Sequence, residues 1–388
     1  MAQALDGVRI LDLTWGCAGP LGVLLLAEHG ADVIKVEPPG GDPFRTSPGY
    51  AVWTRSRRGV VCDLKHDPGR QAFARLAETA DVVVESFRPG VMERLGVGYK
   101  VLASENPRLV YCAIPGYPRD HPFAQRPGYD ALVQAASGQQ WEQPGWRPGP
   151  IFLHMPMPSM GALFLAASGV LAALHARERT GRGQRVDTSL LQGAFLYTTQ
   201  IWQDLEHADD SFHAVMAKTD PPGIHQPMVY ECARGEYLHL SVMSGLEPTR
   251  SQEEITGAPG SPLQVDMLDW SDEQRADLAA RQRDAYKHHD RDELVSELQA
   301  ANYAAEAIVP GHEQFARPHP QLAANGMIAE VDDPELGPTT QMGVPIHLLG
   351  TPGSIRGPQP RVGQHDRDIW GEELGYAPAE IAAICGTP

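Results

Sequence analysis

The chain has 388 residues, with 32 Lys and Arg against 49 Asp and Glu, for a net charge of −17 with His neutral. That balance excludes nonspecific nucleic-acid binding and docking on an anionic membrane, because both need a basic surface. Apolar content of 42% and charged content of 21% are those of a globular protein, and the length implies two domains. The charge is uneven. Residues 1–185 hold 20 basic and 17 acidic side chains, whereas residues 201–310 hold 8 basic and 21 acidic ones.

The N-terminal third alternates strands and helices. Val8–Leu13 predicts a strand, Gly16–Pro20 a turn, Leu21–His29 a helix closed by Gly30, and Ala31–Val36 a second strand. This βαβ pattern continues with strands at Gly59–Leu64, Ala80–Glu85 and Leu109–Ile114 and a helix over Pro68–Thr79, giving an open, parallel α/β domain. Helices follow at Asp130–Ser137 and Ser159–Arg177, then a turn at Arg179–Gln184 and a helix through Gln192. A strand at Glu236–Val242 and a charged helix from Ser271 to Ala300 make a smaller α+β domain. The expected boundaries are 1–205 for the large domain, 220–320 for the small one, and 330–388 for a segment that returns to the large one, ending in a helix at Ala377–Ile384. Residues 148–176 lack charge, but their clean apolar part, Gly161–Leu174, is too short to cross a bilayer and suits a buried helix.

Five scattered cysteines without a CxxC pair fit a reducing cytoplasm, and no metal-ligand spacing is present. The start, MAQALDGVRI, lacks a signal-peptide pattern. The Gly16-Cys17-Ala18-Gly19-Pro20 turn joins a strand to a helix, where backbone N–H groups can hold phosphate. Cys17 reads either as a nucleophile at a helix N-terminus or as a small turn residue. Arg55, Arg57 and Arg58 form a basic loop that could clamp phosphates or simply be solvated. Arg88 follows a strand end, where open α/β sheets place ligands.

Taken together, LDGVRILDLTWGCAGPLGVLLLAEHGADVIKVEPPGGDPFR, TRSRRGVVCDLK, ADVVVESFRPGVMERLGVGY, NPRLVYCAIPGY, RPGYDALVQAASG, GVLAALHARERTGRGQRVDTSLL and HPQLAANGMIAEVDDPELGPTTQMGVPIHLLGTPGSIRGPQPRVGQH resemble, in order, the class III CoA-transferases, a family that includes carnitine and bile-acid CoA-transferases and α-methylacyl-CoA racemases. The resemblance is faintest over about 205–310. It implies a Rossmann-like large domain that binds coenzyme A, a smaller domain, and a homodimer of interlocked chains. It places CoA contacts at Cys17, Ala18, Phe87, Met92 and Arg94, with Arg55, Arg57 and Arg58 as partners for the CoA phosphates.

Class III transferases use an Asp that attacks the thioester and then carries CoA as an aspartyl thioester. In relatives this Asp lies ten residues before the Gly of a GILAAL-like helix. Here that Gly is Gly169, and the matching position is Ser159; no acid lies between Glu142 and Glu178. The His of the racemases is matched by Tyr129. Asp130 is a residue that relatives also carry, and its expected role is structural. Three readings follow. The first is an acyl-CoA enzyme with altered chemistry, in which Ser159, His154, Tyr129 or His225 replaces the Asp. The second is a CoA-binding subunit that supports an Asp-containing paralogue in a heteromer. The third is a conventional acyl-CoA:carboxylate CoA-transferase using a displaced acid such as Glu142.

Overall fold

A computed structural model describes residues 2–141, 150–202, 228–241, 247–260, 270–311 and 319–386. Glu142 and His225 lie outside the described residues.

The first half alternates short apolar strands with helices. The strands are β1 (Arg9–Leu13), β2 (Asp32–Glu37), β3 (Arg58–Val61), β4 (Val82–Glu85), β5 (Val110–Ala113) and β6 (Arg185–Asp187). The helices are α1 (Ala18–Ala27), α2 (Tyr50–Trp53), α3 (Asp67–Glu78), α4 (Val91–Arg94), α5 (Tyr99–Glu105), α6 (Asp130–Ala136), α7 (Met157–Thr180) and α8 (Leu190–Trp202). All six strands are parallel, in the order β3-β2-β1-β4-β5-β6. β1 to β5 are buried nearly end to end, as a parallel sheet covered on both faces requires. One face packs on α1 and α7 through Ile10, Val82, Val110, Ala166 and Val170; the other packs on α3 and the C-terminal Trp370 through Leu11, Val83, Phe73 and Leu76.

α1 begins at Ala18, three residues before the expected Leu21, because Pro20 falls in the first turn where a missing N–H costs little. The sharper difference is β6, which forms directly after the expected turn, in the stretch that reads as leading into a helix through Gln192. It has three part-exposed residues, and it owes its place to pairing with β5 rather than to an apolar run. α7 is longer than expected. It is long and apolar enough to cross a membrane, yet over half of its most apolar stretch is buried in the protein, as in a core helix. It approaches α8 so closely that a Cβ on Gly161 would stand 2.2 Å from the Gly193 carbonyl oxygen, which is why both positions are glycine.

Residues 141–151 and 200–319 form a separate compact unit. Its strands β7 (Val229–Glu231), β8 (Tyr237–Ser241) and β9 (Ala304–Ala307) are antiparallel. α9 (Gln252–Thr256), α10 (Asp272–Tyr286) and α11 (Arg291–Ala300) accompany them around a core of Tyr230, Leu238, Leu240, Tyr286, Leu294 and Leu298. The single helix expected over Ser271–Ala300 is two, because the Asp290 carboxylate accepts from the Asp292 and Glu293 N–H groups and starts a new helix.

The remaining segment belongs with the large sheet. It carries α12 (Pro320–Ala324), the hairpin of β10 (Ile328–Asp333) and β11 (Gly337–Met342), and α13 (Pro378–Ile384).

Candidate active site

The strand order reverses between β1 and β4: β2 and β3 run outward from one side of β1, and β4 and β5 from the other. In open parallel sheets, ligands bind at such a reversal, beyond the C-terminal strand ends. The chain leaves β1 through Thr14-Trp15-Gly16-Cys17 and leaves β4 through Ser86-Phe87-Arg88. These two loops are tied together. The Trp15 N–H donates to Ser86 Oγ at 2.7 Å, and the Trp15 and Phe87 rings meet edge to face at 5.1 Å.

Cys17 is half-buried at the N-terminus of α1, and Ala18 is buried behind it. Burial and the nearby Asp130 carboxylate push the Cys17 thiol up to about 12. This favours the protonated thiol, and with it the reading of Cys17 as a small turn residue. Phe87 is half-buried at the same edge, with Arg88 and Arg94 exposed beyond it. The Met92 side chain lies in the core, 1% exposed, so this residue can offer a ligand only its backbone. Glu85, at the last position of β4, accepts from the Phe87 N–H at 2.7 Å, and burial pushes its carboxyl up to about 8.

Asp130 and Ser159 meet beside Cys17. Ser159 is the third residue of α7, and its N–H is one of those that a helix start leaves without an internal partner. Pro156, at the N-cap, gives no side-chain cap. Asp130 supplies it from α6: its Oδ1 accepts from the Ser159 N–H at 2.8 Å, and its Oδ2 accepts from Ser159 Oγ at 2.7 Å. The approach to α7 is held by the buried Gln134, whose Nε2 donates to the Met155 carbonyl at 2.8 Å. Ser159 is 2% exposed, whereas Asp130 is half-buried.

His154 is exposed, its ring 6.4 Å from that of Phe152; the Ser159 hydroxyl is given to Asp130. Tyr129 precedes Asp130 as the N-cap of α6 and is 60% exposed. The sequence places Ser159 and Tyr129 as candidate positions; the contact with Asp130 is not visible there, because 29 residues separate the two.

The expectation that Arg55, Arg57 and Arg58 meet CoA phosphates is corrected by their pairing. Arg55 is buried, bonded to Glu28 at 2.6 Å and to the Gln341 side chain and the Met342 carbonyl. Arg57 is buried against Asp12 and donates to the carbonyls of Pro20 and Trp53. Burial pushes the Asp12 carboxyl upward, but Lys35, Arg57 and Thr14 outweigh it and hold it below the ordinary range. Arg58 begins β3 and pairs with Asp32 and Glu373, at the opposite end of the sheet from Cys17 and Phe87. Among the described residues no three His, Cys, Asp or Glu side chains cluster as metal ligands would.

Residues 5–366 match the family described as CoA-transferase family III. The chain belongs to that family. Its relatives include a succinyl-CoA:D-citramalate CoA-transferase of Chloroflexus aurantiacus, 29% identical over 98% of this chain and 97% of the relative. A formyl-CoA:oxalate CoA-transferase of Streptomyces avermitilis is 29% identical over 99% of this chain and 98% of the relative. Two crystal structures of family-like folds superpose closely. The Rv3272 protein of Mycobacterium tuberculosis does so with a TM-score of 0.77 and 28% identity, over 95% of this chain and 99% of that one. A CaiB/BaiF family protein of Brucella suis gives 0.76 and 25% identity, over 96% and 100%. Both support the α/β architecture of the sheet described above.

Proposed function

We propose that the protein acts on an acyl-CoA thioester at the β1–β4 crevice, transferring CoA between carboxylic acids without a nucleophile at position 159. The observation that carries this reading is the Asp130–Ser159 contact beside Cys17, at the reversal of strand order. Ser159 is buried and commits both its N–H and its hydroxyl to Asp130, so it does not stand where an attacking group would. Arg88 and Arg94 are the exposed cations beside Phe87 and are the proposed partners of the CoA phosphates, with Ala18 and Phe87 lining the path. The Cys17–Ala18 turn offers its backbone at the start of α1.

A homodimer belongs to this proposal. Phe164 and Leu171 stand 56% and 43% exposed on the outer face of α7, an apolar strip that suits a second copy of the chain. The site is proposed to work in the cytoplasm.

The test incubates the purified protein with succinyl-CoA, formyl-CoA or acetyl-CoA and with mesaconate, oxalate or D-citramalate, following new CoA esters by mass spectrometry. New esters that the protein alone produces support the reading. Binding of CoA without any exchange, restored by adding an Asp-containing paralogue, would instead make the chain a supporting subunit.

A further inference from the structure

We propose that Asp130 is the nucleophilic carboxylate of this chain and that Ser159 positions it. This rests on the proposed function and names the group that carries it out. The geometry supplies the reasons. The Asp130 carboxylate lies at the crevice, half-buried, with each oxygen accepting one bond from Ser159. A carboxylate oxygen has two lone-pair directions, so each keeps one for a substrate. The two bonds come from adjacent groups of one residue at the start of a 24-residue helix, which fixes the plane of the carboxylate and places it at the positive end of the helix dipole.

Ser159 is the weaker choice for the attack. A hydroxyl must lose a proton to become a good nucleophile, and the partner it has is a carboxylate, too weak a base for that task. An aspartate needs no neighbouring base to make it a nucleophile. Cap formation alone accounts for the contact with the Ser159 N–H; it does not account for the hydroxyl turned to the second oxygen of a half-buried acid in the crevice.

The steps balance. An Asp130 oxygen adds to the thioester carbonyl carbon, the C–S bond breaks, and CoA leaves as thiolate from an acyl-aspartyl anhydride. The thiolate then attacks the aspartyl carbonyl carbon and expels the donor acid as its carboxylate, leaving CoA on Asp130 as a thioester. An acceptor carboxylate attacks that thioester, the thiolate leaves, and its return to the acceptor's carbonyl carbon regenerates the Asp130 carboxylate. The single negative charge passes from carboxylate to thiolate to carboxylate, and no proton is transferred.

The test compares the wild type with Asp130→Asn, Ser159→Ala and Ser159→Thr, using succinyl-, formyl- and acetyl-CoA, with borohydride reduction of any thioester adduct read by intact mass. Asp130→Asn keeps an amide oxygen for the Ser159 N–H, and its thermal midpoint checks the fold. Its turnover is expected to fall by about 10³-fold or more, with no adduct. Ser159→Ala is expected to keep the adduct and lose about 10-fold in kcat at unchanged KM, and Ser159→Thr to recover most of that loss. Turnover by Asp130→Asn within tenfold of the wild type overturns the assignment, as does an adduct that survives in it. Should Asp130→Asn fail to fold, peptide mapping of the wild-type adduct decides, and an adduct elsewhere than residue 130 overturns it. A wild type that turns over none of the three thioesters overturns the proposed function and this assignment together, whereas turnover with the adduct elsewhere overturns the assignment alone.

Discussion

At the N-terminal ends of β1, β2 and β3, Arg9 and Arg58 bracket Asp32 at 2.9 and 2.6 Å, and Glu373 closes the group. At the C-terminal ends of β1 and β4, Glu85 and Asp130 are bonded instead by uncharged N–H and O–H groups, and Arg88 and Arg94 are exposed. Charge at the first end is neutralised by countercharge, so it is spent on holding the sheet. At the second end burial favours the protonated form of Glu85, and Asp130 is oriented without a bonded countercharge, so Asp130 remains able to meet a ligand. A stretch of arginines is therefore not a phosphate site until its partners are known, and an acid is not structural merely because it caps a helix.

The comparison breaks most visibly at Arg57. Arg57→Ala leaves Asp12 buried without its guanidinium and is expected to destabilise the protein by about 3–5 kcal/mol in urea unfolding, with CoA affinity of the folded fraction unchanged. A loss of CoA affinity at full stability would make Arg57 a phosphate ligand after all. Glu85 sharpens the other end. Its carboxyl is raised from 4.5 to about 8 in the folded protein, so the folded state holds that proton more tightly than the unfolded chain. Its contribution is full below about 4.5 and is lost as pH rises through about 8, on the order of 5 kcal/mol in all. Glu85→Gln should remove that loss, so its urea midpoint should gain on the wild type steadily from pH 5 to 8. A gap independent of pH would show that Glu85 ionises freely. Arg94→Ala should weaken CoA binding by about 10-fold in calorimetry without moving the thermal midpoint. Arg58→Ala, at a part-exposed pair, should cost less than about 1 kcal/mol and leave CoA binding as it was.

Much of the fold is legible in the chain because β1 to β5 are apolar runs separated by helical periodicity, and a buried parallel sheet requires that pattern. β6 escapes it because Arg185-Val186-Asp187 owes its place to pairing, not composition. The break at Asp290 escapes because the charged run on either side keeps helical character, and only the cap marks the end. In the proposed site, Cys17, Ala18 and Phe87 enter through the resemblance to the family. The roles of the arginines are not legible, because Glu28, Asp12 and Glu373 lie 27, 45 and 315 residues from their partners. Asp130 is visible in the RPGYD segment, but only the fold brings it to Ser159, and only that contact separates a helix cap from an oriented nucleophile.

The most direct measurement is peptide mapping of the wild-type protein after turnover of a thioester and borohydride reduction. Reduction of an aspartyl thioester leaves homoserine in place of the acid. The account predicts homoserine at position 130 and unmodified serine at position 159; a reduced or acylated residue at 159, or at any acid other than 130, would contradict it.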